Sequence, residues 1–204
     1  MGDGDPAAPA DPIVRLFLAR HGRTRLNAAG VLRGHLDPPL DAVGHFQALV
    51  LADVLAHQGL ASIVSSPLLR ARETAEPIGL RTGLPVEIDV RLIDRDYGPW
   101  AGRSKSEVIA RWGSLDDAPE IEPTQAVVDR TMAALAEACD RSSDGAVLVV
   151  SHDAVNSSVL RILDARLDDI GTVPQDTGCF NVIERSGAQW SVRSVNNAPA
   201  GHDL

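Results

Sequence analysis

Ile13-Val14-Arg15-Leu16-Phe17-Leu18-Ala19 runs straight into Arg20-His21-Gly22. A short apolar run that stops at charged residues and a glycine reads as a buried strand entering a loop. A second run, Ala146-Val147-Leu148-Val149-Val150, ends in Ser151-His152. It is apolar at every position, as expected of a strand covered on both faces. Between the two lie segments of helical periodicity. Val43, Phe46, Val50, Leu51, Val54 and Leu55 predict a helix within Leu40–Gly59, with Gly59 as its stop. Leu68–Gly83 predicts a second helix, interrupted or bent near Pro77, and Thr124–Asp140 an amphipathic third. A further helix is expected from about Ala154 to Leu163. Ala61–Ser65 and Val86–Ile88 read as short strands, and Phe180–Ile183 and Trp190–Val195 as two closing strands around Ser186-Gly187.

Alternating strands and helices predict a three-layer α/β fold: a mostly parallel central sheet with helices on both faces. Ligands in such folds sit beyond the carboxyl ends of the strands. His21 and His152 each follow a strand, so the fold rule brings both to one edge of the sheet.

The 204 residues suit one domain. Met1–Pro12, built mainly of Gly, Asp, Pro and Ala, is expected to be disordered. The domain is expected over 13–195, with the irregular stretch 94–123 as an insertion over one end of the sheet, capping the site. A flexible tail is expected over 196–204. The net charge of −9 disfavours nucleic acid and anionic membranes as partners. There is no run of 18 apolar residues and no signal peptide at the N-terminus, so a cytoplasmic location is expected. Cys139 and Cys179 make neither a disulfide framework nor a metal-ligand spacing and read as reduced core thiols. An acidic surface with 3% aromatic residues shows no clear docking patch; oligomeric state is left open, with a homodimer as the one named candidate.

Four short segments could carry chemistry, and each alone also fits a packing or surface role. In Arg20-His21-Gly22, a neutral imidazole with one nitrogen fixed by a backbone carbonyl would present the other as a nucleophile, and Arg20 could hold an anion in bidentate fashion. Arg70 and Arg72, after Ser65-Ser66-Pro67, fall on different faces of the second helix, so one can point over the sheet edge. His152 stands at a helix start, where backbone N–H groups favour an anion. Asp94 and Asp96 offer carboxylates, either of which could protonate a leaving alcohol.

Leu18-Ala19-Arg20-His21-Gly22 with Asn27, Ser65–Ala71, Leu92–Gly98 and Val149–His152 together resemble the histidine phosphatase superfamily, the phosphoglycerate-mutase-like proteins. The resemblance implies a metal-independent phosphomonoesterase without cofactor, acting on a small phosphorylated metabolite through a phosphohistidine. It implies His21 as nucleophile, Asp94 as proton donor, and Arg20, Asn27, Arg70 and His152 around the phosphoryl group. Arg33, Gly34 and His35 fall where the family's first loop faces the substrate. Two departures stand out. The donor is usually glutamate, and Asp94 is one methylene shorter. Asp153 follows His152 where glycine is common, so its side chain is expected to point away from the phosphate. Sugar phosphates, phosphoglycerate derivatives, nucleotides and cobalamin-precursor phosphates all remain as substrates. A phosphoglycerate-mutase-type phosphotransferase and a non-catalytic phosphoester-binding protein are the alternative functions.

Overall fold

Leu16 and Leu18 point to one side of the first strand, Phe17 and Ala19 to the other, and all four are buried. A strand with no polar face needs a layer on each side, and the computed structural model supplies both. It describes residues 11–142, 144–170 and 173–199, with the side chains of 168–170 left aside. β1 (Ile13–Arg20), β2 (Leu60–Ser65), β3 (Val86–Ile88), β4 (Ala146–Ser151), β5 (Phe180–Ser186) and β6 (Gln189–Asn197) form one sheet in the order β3-β2-β4-β1-β5-β6. The β3, β2, β4 and β1 neighbours run parallel; β5 is antiparallel to both β1 and β6.

Leu16, Leu18, Val147 and Val149 pack against α5 (Thr124–Asp140) and α6 (Asp153–Leu163) through Leu135, Cys139, Val159 and Leu160. Phe17, Ala19, Leu148 and Val150 pack against α2 (Ala42–Leu55) and α3 (Leu69–Thr82) through Leu51, Leu55, Ala75 and Ile78. The predicted three layers are therefore present. Both cysteines are buried free thiols, and desolvation pushes the Cys179 thiol up to about 12.

α3 carries Pro77 without interruption. An interior proline costs about 3 kcal/mol; here Thr74, Ala75, Ile78 and Gly79, on either side of it, are all buried and hold both halves to the body. The chain does not leave the fold at Asn196, as composition suggested. β6 continues to Asn197, whose Nδ2 donates to the Phe180 carbonyl at 2.9 Å. Asn196 takes a φ of 52°, a left-handed conformation asparagine tolerates, while its Oδ1 accepts from the Asp176 N–H at 2.7 Å. Of the two expected tails, Met1–Ala10 and 200–204 lie outside the described residues; Asp11 is tied down by Ser186 Oγ, which donates to its carbonyl.

Residues 94–123 hold a helix, α4 (Lys105–Trp112), and pack Tyr97, Val108, Ala118 and Ile121 with Leu32 into a separate apolar cluster. This segment stands at the carboxyl end of the sheet and supplies Arg95, Tyr97, Lys105, Leu115 and Asp116 to the wall of a cleft there.

Candidate active site

Parallel pairing of β1 with β4 aligns Arg20 with Ser151. The next residue on each strand is a histidine, so the register alone makes His21 and His152 neighbours. Their ring centroids are 5.2 Å apart and both side chains are fully buried. The His21 N–H extends the ladder by donating to the Ser151 carbonyl at 3.1 Å.

The His21 ring is oriented as its sequence context predicts. Nδ1–H donates to the Gly22 carbonyl at 2.7 Å, which leaves the Nε2 lone pair directed into the site, where Arg70 Nε donates to it at 3.3 Å. Burial, followed by the nearby guanidinium groups of Arg70, Arg20 and Arg33, holds the imidazole well below its ordinary pKa, so it is neutral. Gly22 has a second purpose. A Cβ there would lie 2.5 Å from the Gly44 carbonyl oxygen, so the glycine pair lets the His21 loop seat on the first turn of α2. The Gly22 N–H is taken by Thr74 Oγ1 at 2.9 Å.

Arg70 is 0% exposed. Its Nη1 donates to the Leu36 carbonyl (2.7 Å), and its Nη2 to the Gly34 carbonyl (3.0 Å) and Asp94 Oδ2 (2.9 Å). Five fixed N–H donors allow this spread without a change of rotamer. Asp94 is 2% exposed. Desolvation raises its pKa, and Arg70, then Arg33, oppose the rise. The segment carrying Asp94 is pinned from three sides. Arg130 of α5 donates to the carbonyls of Arg91, Ile93 and Asp94, Ser151 Oγ to that of Leu92, and His35 Nε2 to that of Asp94. Asp94 Oδ2 lies 3.8 Å from His152 Nδ1. Asp96 does not join it: its side chain accepts from the Gly98 N–H and lines a separate hollow with His35, Glu122 and Arg130.

His152 Nε2 is 2.7 Å from Ser66 Oγ, which also accepts from the Leu68 N–H at 3.4 Å. Burial and Arg70 hold His152 well below its usual pKa, so it too is neutral. Arg20 Nη1 donates to the Gln175 carbonyl. Three nitrogens here, Arg20 Nε, Arg33 Nε and His152 Nδ1, are buried with no hydrogen-bond partner in the protein. Buried unpaired polar atoms are rare and costly, and three nitrogens left so beside this edge of the sheet suit an anion.

A cleft lined by Arg20, Arg33 and Asp94, with His21, Arg70 and His152 outside its lining, has a volume of about 680 Å³, within the usual range for a small-molecule site. Of the residues expected to determine specificity, Arg33 lines this cleft. Gly34 contributes its carbonyl to Arg70, and His35 turns away into the separate hollow. Asn27 reaches the cleft while its Oδ1 caps the short helix α1 (Arg25–Ala28) through Thr24. The expectation for Asp153 fails. Its carboxylate lines the cleft 3.7 Å from Arg20 Nη1, because as the first residue of α6 it stands beside that guanidinium, whose attraction offsets the approach. Sequence reasoning missed the parts played by Ser66, Thr74, Gln175 and Arg130. Ser66 lay inside a quoted motif; the others carry no local signal, since the partners that tie them to the site are Gly22 for Thr74, Arg20 for Gln175 and backbone carbonyls for Arg130. Among the described residues no cluster of three His, Cys, Asp or Glu side chains could hold a metal, and no helix is long and apolar enough to cross a membrane.

The chain is 31% identical over 180 residues to an uncharacterized phosphatase, PhoE, of Bacillus subtilis, covering 88% of this chain and 92% of that protein. It is 45% identical over 96 residues to a glucosyl-3-phosphoglycerate phosphatase of Mycolicibacterium vanbaalenii, a match that spans 47% of this chain and only 43% of that relative. The native structure of a mycobacterial glucosyl-3-phosphoglycerate phosphatase superposes with a TM-score of 0.78 at 26% identity, covering 91% of this chain and all of the other. The profile of the histidine phosphatase superfamily (branch 1) matches residues 16–198, and the chain belongs to that family.

Proposed function

We propose that the protein is a phosphomonoesterase that works through a phosphohistidine on His21. The observation that carries this reading is the His21 ring itself: neutral, its Nδ1 proton tied to a backbone carbonyl, its Nε2 turned toward Arg70 Nε at 3.3 Å, with the Arg20 and Arg33 guanidinium groups close enough to act on it. Nε2 attacks phosphorus, and the P–O bond to the leaving alcohol breaks. Arg20, Arg33, Arg70 and His152 take the phosphoryl oxygens, with Asn27 at the rim. Their positive charge is fixed in a desolvated site, where it stabilises developing negative charge without reorganisation.

Asp94 hands its proton to the departing oxygen. An incoming phosphoryl dianion draws Arg70 toward itself and adds negative charge beside Asp94, and both changes favour the protonated acid. The shorter aspartate suffices because its backbone is pinned at the sheet edge, which sets Oδ2 2.9 Å from Arg70 Nη2. Water then attacks the phosphohistidine with Asp94 as base. The substrate class is a small phosphorylated metabolite, and the named relatives make glucosyl-3-phosphoglycerate the first compound to assay.

The test is phosphate release from p-nitrophenyl phosphate in EDTA, with wild type and His21→Ala compared. The reading expects wild-type turnover and a loss of at least ~10³-fold in the variant, the scale seen when a covalent nucleophile is removed. Equal rates would refute it.

A further inference from the structure

Asp153, Ala154, Ser157, Ser158 and Arg161 all line the cleft. Their spacing, i, i+1, i+4, i+5 and i+8, is one face of a helix. The opposite face of α6, with Val155, Asn156, Val159 and Leu160, is buried. α6 therefore forms one whole wall of the cleft, and its polar stripe is half-buried rather than solvated.

The hydrogen-bonding character of that wall is settled by its internal bonds. Ser157 Oγ donates its proton to the Asp153 carbonyl at 2.8 Å, and Ser158 Oγ donates to the Ala154 carbonyl at 2.7 Å. With their protons committed to the helix, the hydroxyls of these two cleft-lining serines have only lone pairs left to offer a ligand. The Asp153 carboxylate, 44% exposed and 3.7 Å from Arg20 Nη1, adds acceptor capacity at the phosphoryl end. Three neighbouring acceptors, one of them anionic, want a ligand that donates protons and carries no negative charge on this side. The cleft is also lined by Arg33 and Lys105, on the loop after β1 and on α4.

We propose that the exposed face of α6 is the leaving-group subsite and that it takes a hydroxyl-rich, sugar- or polyol-like moiety, Asp153, Ser157 and Ser158 accepting its hydroxyl protons. The proposal rests on the phosphatase reading for the position of the phosphoryl group. An aryl leaving group has nothing to donate.

Binding to the His21→Ala protein separates the subsite from the chemistry. Dissociation constants for glucose 6-phosphate and phenyl phosphate are measured by calorimetry, with and without Ser157→Ala and Ser158→Ala. Alanine favours the helix, so the fold is retained. Two lost hydrogen bonds correspond to roughly a ten-fold effect. The preference for glucose 6-phosphate over phenyl phosphate is expected to fall by about that factor. A ratio that shifts less than two-fold, or glucose 6-phosphate that fails to bind at millimolar concentration, overturns the proposal. The same ratio read as kcat/KM in the otherwise wild-type protein is the second measurement. If neither ester is hydrolysed while the binding ratio shifts as expected, the phosphatase reading fails and the subsite stands.

Discussion

Asp94→Asn is the substitution that separates a proton donor from a structural counter-ion. Two effects are expected, and the structure sizes each. The Asp94 carboxylate is 2.9 Å from the fully buried Arg70 guanidinium. Deleting one partner of a buried ion pair costs about 3–5 kcal/mol. Asparagine keeps an oxygen for Arg70 Nη2 but no charge, so about 3 kcal/mol is the expected loss, or ~6–12 °C in Tm for a domain of this size. The chemical effect is distinct. A general acid contributes ~10²–10⁴-fold when the leaving group is a poor one, about 3–5 kcal/mol of barrier. The assay is kcat/KM on glycerol 2-phosphate and on p-nitrophenyl phosphate, at a temperature well below the variant's Tm. The alkyl ester should lose ~10²-fold or more, and the nitrophenyl ester, whose leaving group departs unaided, about ten-fold or less. Equal losses on the two esters would show that Asp94 acts only by holding Arg70, and the proton-donor role would fall.

Stability should drop as pH falls below about 6.5. Both His21 and His152 are held neutral in the fold while the unfolded chain takes up protons near that pH, so the unfolded state gains protons first. The slope is up to ~1.4 kcal/mol per pH unit for each histidine, about 2.7 together. Asp94, whose pKa is raised in the fold, has the opposite sign: its contribution is complete below its unfolded value and fades as pH rises through its folded one. Urea midpoints between pH 7.5 and 5.5 measure the net slope, and His21→Gln should remove about half of it; an unchanged slope contradicts the assignment. Asp153→Asn should tighten inorganic phosphate binding several-fold, since a half-exposed carboxylate 3.7 Å from Arg20 competes with phosphate by about 1 kcal/mol. Product-inhibition constants measure this, and weaker phosphate inhibition in the variant would count against it.

The parts of this molecule legible in the sequence are those in which one residue type has one reason to be where it is. β1 and β4 are apolar on both faces because both faces are covered, and runs such as Ala146–Val150 admit few other readings. Strand polarity then placed His21 beside His152 before any family was considered. Parts governed by distant partners were not legible. Asp153 could not be placed without knowing that Arg20 stands 3.7 Å away, and His35 could not be separated from Arg33 without the turn that sends one to each side of Asp94. Pro77 and Asn196 read as breaks on propensity alone, and packing on either side of the first and side-chain hydrogen bonds around the second override it. Arg130, which fixes the Asp94 segment through three carbonyls, looks in the sequence like any charged residue on an amphipathic helix.

The central claim is a covalent bond between phosphorus and His21 Nε2. Rapid mixing of the protein with excess p-nitrophenyl phosphate, an alkaline quench that preserves phosphoramidates, and peptide mass spectrometry test it directly. The account predicts a phosphoryl group on the peptide carrying His21 and on no other histidine, absent from His21→Ala and accumulating further when the base step is slowed in Asp94→Asn. Phosphate found on another residue, or steady hydrolysis by His21→Ala, would contradict it.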